Sequence, residues 1–285
     1  MKTLNRILLL VLLINLSCTG RVDKKNDVVQ ADAIPANAIP FEYDEKQQRA
    51  ILLKGNLNDT IPINLFFDTG MGGNRIFVSD SLKNCLGDDS CTVQIGNSLS
   101  LQQKLFYIDN DNFFIKYFGQ NTAHIGWDFF DNKIIKISYQ QKYIQILDST
   151  EGLGGYTCLP FNYLGIEIEV FVQEKHIKEF VCIDTGFNGF VLFNNNIIEK
   201  YAINMDNAQR IQTLDRSLRQ YRLNADSINA GCVLSGKQTV EFLAEMNPDR
   251  YAYSEILGNA FLENFEIILD FKEFKMYIKP NSVLN

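Results

Sequence analysis

Two carboxylates stand where apolar runs stop in this 285-residue chain. Asp68 closes IPINLFFDTG and Asp184 closes FVCIDTG, and in both places Thr and Gly follow at once. Carboxylates brought to about 3 Å of each other do not both ionise, so they share one proton. Such a pair is a base toward a water and an acid toward a carbonyl oxygen, which is the chemistry of amide hydrolysis. The pair titrates as a unit, so residue types alone assign the proton to neither acid. Gly70 and Gly186 let each chain segment turn back with no Cβ in the way. Thr69 and Thr185 place short hydroxyls beside the acids.

The elements that must position these acids occur twice. IPFEY at Ile39 to Tyr43 precedes the first DTG, and LPFNY at Leu159 to Tyr163 precedes the second. From Pro40 to Asp68 is 68 − 40 = 28 residues, and from Pro160 to Asp184 is 184 − 160 = 24. The difference is one hairpin turn. After each DTG an apolar run leads into a helix-like stretch, with Ser79 as cap in one copy and Asn194 or Asn195 in the other. A third block, IGWDFFDNKIIKISYQQKYIQI from Ile125, aligns without a gap to LGNAFLENFEIILDFKEFKMYI from Leu257, offset by 257 − 125 = 132. Gly126 meets Gly258, Phe129 meets Phe261, Asn132 meets Asn264 and Ile135 meets Ile267. Three blocks in one order, each present twice, predict two homologous lobes, residues 39–148 and 156–285, joined by STEGLGG at 149–155.

Each lobe reads as mostly strand. ILLKGNLNDTIPINLFF predicts a hairpin turning at Gly55 to Asp59, and IEIEVFVQEKHIKEFVCI one turning near Glu174 to His176. KIIKISYQQKYIQI and EIILDFKEFKMYI are further hairpins with polar turns. Short strands at this spacing predict an all-β chain of two small barrel lobes.

Two matched lobes that each deliver one DTG resemble an aspartic protease of the pepsin and retropepsin type, over about Ile39 to Ile278. The family pattern is carried by Phe66-Phe67-Asp68-Thr69-Gly70 with Ile125-Gly126, and by Cys182-Ile183-Asp184-Thr185-Gly186 with Ile256-Leu257-Gly258. One DTG alone is weak, since roughly one chain in twenty of this length has it by chance. Two in register with a threefold internal repeat are specific. The resemblance implies an acid-protease-like fold with Asp68 and Asp184 as a catalytic dyad at the lobe junction. It implies that Thr69 and Thr185 hydrogen-bond across the two loops, and that Gly126 and Gly258 pass close to a DTG loop. It also implies a peptide bound extended, as an added strand. TVQIGNSLSLQQKLFYI, Thr92 to Ile108, turning at Gly96-Asn97-Ser98, stands in the family's order where a flap is expected; Arg210 to Phe242 fills that slot in the second lobe. Three places depart from the pattern. His124 fills an apolar place in the first lobe, Met71 and Phe187 stand where relatives often carry Ala or Ser, and Gly72 and Asn188 supply no hydroxyl.

Other polar residues carry less. GMGGN at Gly70 to Asn74 lacks the Gly-Lys-Ser/Thr ending of a phosphate loop and reads as a turn. Asp88 and Asp89 have no paired group and read as solvated. Of the two histidines, His124 beside Ile125 reads as structural and His176, in KHIK, as solvated. With so few histidines and no Cys-x-x-Cys, no metal site is expected. No cofactor is implied. Cys85 and Cys91 flank LGDDS and are candidates for a disulfide, and the odd number of cysteines after Cys18 leaves a free thiol.

A net charge of −7 argues against nucleic acid as partner. The N-terminus, MKTLNRILLLVLLINLSC, has a basic start, a short apolar centre and a small residue before Cys18, and reads as an export signal. Its LSC ending resembles the lipobox of bacterial lipoproteins, which implies lipidation of Cys18, a tether over residues 19–38, and a place on the periplasmic face or cell surface. The expectation is therefore a two-lobed, monomeric, lipid-anchored aspartic endopeptidase acting on extended peptide or protein substrates. A peptide-binding protein that keeps the fold without turnover is the alternative. Two intact DTG motifs favour the enzyme, because a binder has no need of two buried acids.

Overall fold

Alternation of apolar and polar residues organises most of this chain into strands. The computed structural model describes residues 33–46, 48–87, 89–96, 99–162, 165–211, 219–245 and 255–281. Residues 1–32, with the stretch read as an export signal, Cys18 and most of the stretch read as a tether, lie outside the described residues. Pro35–Asn285 form one compact unit.

The first half runs β1 (Ala38–Glu42), β2 (Ile51–Leu57), β3 (Ile61–Asp68), β4 (Arg75–Ser79), β5 (Ser90–Ile95), β6 (Leu99–Ile108), β7 (Thr122–Gly126), β8 (Ile134–Ser138) and β9 (Tyr143–Leu147). The second runs β10 (Thr157–Pro160), β11 (Gly165–Val172), β12 (Lys175–Asp184), β13 (Val191–Phe193), β14 (Gln209–Ile211), β15 (Arg219–Asn229), β16 (Val233–Glu245), β17 (Ile256–Gly258), β18 (Phe265–Asp270) and β19 (Lys275–Pro280). In the first half β2-β3-β7-β4-β6-β5 close on themselves, since β5 returns to β2 with Ile95 opposite Gly55. In the second, β11-β12-β17-β13-β16-β15 close when β15 returns to β11. The chain is thus mostly β, with two closed six-stranded barrels. Strands β10-β19-β18-β8-β9-β1 form one sheet that joins the halves, with β18 antiparallel to β8 from Glu266↔Ser138 to Asp270↔Ile134.

Period-two burial explains the two DTG strands. On β3, Ile63, Leu65 and Phe67 turn into the barrel, and on β12, Ile177, Val181 and Ile183 do the same. Phe67, fully buried, contributes on the order of 2–3 kcal/mol by leaving water. Phe66 faces the other way, into a smaller cluster with Ala50, Phe114 and Ile115. That cluster packs the helix Phe113–Phe118, capped by Asn112 accepting from the Phe114 amide at 2.9 Å, beside the end of β3. Ser79 caps the turn Asp80–Leu82, and Asn194 caps the helix Asn195–Lys200.

The turns are shorter than expected. Asn58, Asp59 and Thr60 close the first hairpin, with Asn58 and Asp59 at φ 47° and 60°, in the left-handed conformation that Asn and Asp tolerate. Gly55 lies within β2 instead, where a Cβ would sit 2.5 Å from a Leu65 methyl carbon and 2.6 Å from the Gln94 carbonyl oxygen. Gln173 and Glu174 make the second turn, and His176 belongs to β12, its ring stacked on Phe171 at 4.5 Å and 3.7 Å from a Glu169 oxygen. Cys85 and Cys91 are both free: Cys85 is exposed on the short helix Lys83–Leu86 while Cys91 faces the barrel interior.

Candidate active site

The two DTG strands end in the same way. Asp68 pairs in parallel with Gly126 at the end of β7, and Asp184 pairs in parallel with Gly258 at the end of β17. A Cβ at Gly126 would lie 2.4 Å from the Met71 carbonyl oxygen, and one at Gly258 2.5 Å from the Gly189 carbonyl oxygen. Each glycine therefore lets its strand press against the loop that follows its own lobe's DTG. The residue after each glycine closes that loop, Trp127 donating to the Met71 carbonyl at 3.0 Å and Asn259 to the Phe187 carbonyl at 2.8 Å.

The threonines bind the two loops to each other. The Thr69 hydroxyl accepts the Thr185 amide at 3.0 Å and donates to the Ile183 carbonyl at 2.6 Å. The Thr185 hydroxyl accepts the Thr69 amide at 3.0 Å and donates to the Phe67 carbonyl at 2.9 Å. Both side chains are fully buried, so each of these polar groups depends on the other loop for its partner. Asn259 adds a third strut. Its Nδ2 donates to the Thr185 carbonyl at 2.6 Å and the Arg49 carbonyl at 2.5 Å, while its Oδ1 accepts from Tyr139 at 2.6 Å.

This interlock presses the acids together. Asp68 and Asp184 are half-buried and hydrogen-bonded to each other. The Gly70 amide donates to Asp68 Oδ1 and the Gly186 amide to Asp184 Oδ1, both at 2.7 Å. A Cβ on Gly70 would stand 2.7 Å from Asp184 Oδ2, and one on Gly186 2.5 Å from Asp68 Cγ. Each glycine thus makes room for the other lobe's carboxyl.

The two acids do not have the same surroundings. His124 Nε2 lies 2.7 Å from Asp68 Oδ2, the oxygen that the Gly70 amide does not use. Burial works to raise the Asp68 carboxyl, but the hydrogen bond and charge of His124, with the Asp184 and Gly70 bonds, outweigh it and hold Asp68 below its usual value. Asp184 is pushed well above the carboxylate range, first by burial and then by the charge and hydrogen bond of Asp68, against the opposing Gly186 and Phe187 amides. One acid is poised to be ionised and the other to keep a proton.

A cleft of about 680 Å³ opens from Asp68. Phe66, Phe77, Phe114, Tyr117, Phe118 and Phe187 give it aromatic walls, and Asp68, His124 and Asn188 supply polar atoms on its lining. It has the size and depth to receive a large apolar side chain beside the paired acids.

The structure brings together Asp68, Asp184, Thr69, Thr185, Gly70, Gly186, Gly126 and Gly258. It does not bring Gly96 with them. Gly96, at the end of β5, lines a separate groove with Lys54, Asn56, Asn64 and Asn121. Asn64 is four positions before Asp68 on β3 (68 − 64 = 4), about 13 Å away along the strand. β5 pairs with β2 from Val93 opposite Leu57 to Ile95 opposite Gly55; Asn97 and Ser98, the other two residues expected at the flap tip, lie outside the described residues. His124, read as structural from the sequence, is the residue that reading misplaced. Its signal was its type: it interrupts an apolar position that its counterpart in the second lobe, Ile256, fills. No family model matches the chain, and no curated protein matches it.

Proposed function

We propose that the chain is an aspartic endopeptidase of the pepsin and retropepsin kind, two-lobed and acting as a monomer, exported and held to a bacterial membrane through a lipid on Cys18. The single observation that carries this reading is the pair of half-buried, mutually hydrogen-bonded acids, Asp68 and Asp184, held by reciprocal Thr69 and Thr185 bonds. A binding site for peptides gains nothing from burying two acids against each other, whereas hydrolysis requires a base and an acid within reach of one carbonyl.

In this mechanism a water lies between the carboxyls and the scissile carbonyl. The ionised carboxylate takes one proton from the water as the oxygen adds to the carbonyl carbon. The protonated carboxyl gives its proton to the carbonyl oxygen, so a neutral gem-diol forms and the pair keeps one proton. In the second step the carboxyl that took the water's proton passes it to the amide nitrogen. The C–N bond breaks, and the other carboxylate receives a proton from a gem-diol hydroxyl. The pair returns to its starting state with one water consumed and one amide cleaved. The aromatic cleft beside Asp68 holds a substrate side chain and fixes the scissile bond over the acids.

The test is cleavage of an unfolded protein mixture by the full chain across pH, with Asp68→Asn and Asp184→Asn beside it. Each change keeps the shape and removes one carboxylate, so each is expected to slow cleavage on the order of a thousandfold or more, with the double variant little worse. Cleavage that persists in the double variant would overturn the assignment. Binding of extended peptides without cleavage, equally in all variants, would replace it with the binding-protein reading.

A further inference from the structure

Resting on that reading, we propose that His124 is a positioning residue of the pair: its Nε2–H donates to the outer oxygen of Asp68, fixes Asp68 as the carboxylate that takes the water's proton, and leaves the shared proton on Asp184. The geometry carries this. Both Asp68 oxygens are engaged, Oδ1 by the Gly70 amide at 2.7 Å and Oδ2 by His124 Nε2 at 2.7 Å, and with the imidazole as donor these are the partners of an ionised carboxylate. Asp184 has the Gly186 amide on Oδ1 at 2.7 Å, and its side-chain partner is Asp68, with no cation beside it. Two acids that the repeat makes equivalent are therefore unequal, and the inequality enters through one side chain that the second lobe does not have.

The position of His124 suits this role. Its ring stacks on Phe114 at 5.2 Å and 18°, with Phe66 at 5.0 Å and Phe77 at 6.1 Å. Three aromatic rings fix the imidazole plane. The charged and titratable groups around it are few. β3 presents Asp68, with Asp184 behind it. On the helix Phe113–Phe118, Lys116 is exposed and paired with Asp111 at 3.0 Å, and Tyr117 lines the same cleft. From β4, Arg75 lies over the Phe77 ring at 5.9 Å, with its Nε on the Gly72 carbonyl at 2.8 Å. Asp68 is accordingly the acid that feels the imidazole. The downward pull on Asp68 and the upward push on Asp184 agree with the geometry, and together they widen the pH range in which the pair holds one proton.

The test compares the full-length protein with His124→Gln, which keeps a neutral donor, and His124→Leu, which keeps the apolar bulk that three phenylalanine neighbours accept. The readout is the pH profile of kcat/KM on a peptide substrate. The acid limb is expected to move to higher pH in His124→Leu and part of the way in His124→Gln, so that at about pH 4 His124→Leu loses on the order of tenfold or more. Between the acid and alkaline limbs the loss should be smaller than at pH 4. A limb that does not move, or a uniform loss at every pH, overturns the positioning role while leaving the protease reading intact. If the wild type cleaves nothing, that reading fails, and the bond is judged by a double-mutant cycle in Tm between Asp68→Asn and His124→Leu. Coupled effects support the pairing, and additive effects overturn it.

Discussion

The Thr69 hydroxyl accepts the Thr185 amide at 3.0 Å, and the Thr185 hydroxyl accepts the Thr69 amide at the same distance. Residues 116 positions apart thus satisfy each other's buried backbone, and neither loop keeps its shape without the other. Thr69→Ser retains the oxygen and is expected to stay near wild type. Thr69→Val keeps the volume but leaves the Thr185 amide and the Ile183 carbonyl unpaired, at about 2 kcal/mol or more, a fall in Tm on the order of 5 °C. Thermal unfolding followed by circular dichroism measures both, and equal Tm for Ser and Val would refute the interlock as a source of stability.

Gly70→Ala addresses the closeness of the acids. The new Cβ would meet Asp184 Oδ2 at 2.7 Å and Cγ at 2.8 Å, so the carboxyls must separate. A displacement approaching 1 Å lowers kcat/KM on the order of a hundredfold. The Thr69 and Thr185 bonds use no atom of Gly70, so Tm should fall by only a few °C. An active Gly70→Ala enzyme would mean that the carboxyls do not work as a touching pair.

Two chemically identical substitutions are expected to move stability in opposite directions. Asp184 is raised in the fold, so its contribution is fully present below the unfolded carboxylate value, ~3.9, and is lost as pH rises through the folded value. At neutral pH Asp184 is therefore a burden, and Asp184→Asn should raise Tm by a few °C, a gain that disappears in acid. Asp68 is lowered, so its contribution is present above that same unfolded value and is lost as pH falls through the folded one. Asp68→Asn should lower Tm at neutral pH and approach wild type in acid. Tm shifts of the same sign at neutral pH in both variants would contradict the inequality of the two acids.

Anchoring is tested at Cys18. The protein is expected in the membrane fraction, and Cys18→Ser should release it or block its processing. A wild-type protein recovered soluble and cut elsewhere than before Cys18 would count against lipidation.

Local residue types and the internal repeat determined a great deal on their own. The offset of 132 between Ile125 and Leu257 places Gly126 and Gly258 alike, and both do pair with the acids that end β3 and β12. That was legible because strand periodicity, turn residues and duplicated blocks are properties of short segments. The role of His124 was not. β7 lies parallel to β3 with Phe66 opposite His124 and Asp68 opposite Gly126. Side chains two apart on a strand share a face, so His124, opposite Phe66, lies on the face of Asp68 and reaches its Oδ2 at 2.7 Å. Only the pairing register creates this neighbourhood. The β5–β6 hairpin shows the same division: its strands are visible in TVQI and SLSLQQKL, but the groove that Gly96 lines follows from β5 joining β2, Ile95 opposite Gly55. Cys85 and Cys91, close in sequence, are held on a helix and inside a barrel, where burial rather than spacing decides whether two thiols meet. Sequence settled which residues end the strands; the direction each side chain faces across a barrel needed the closed sheet.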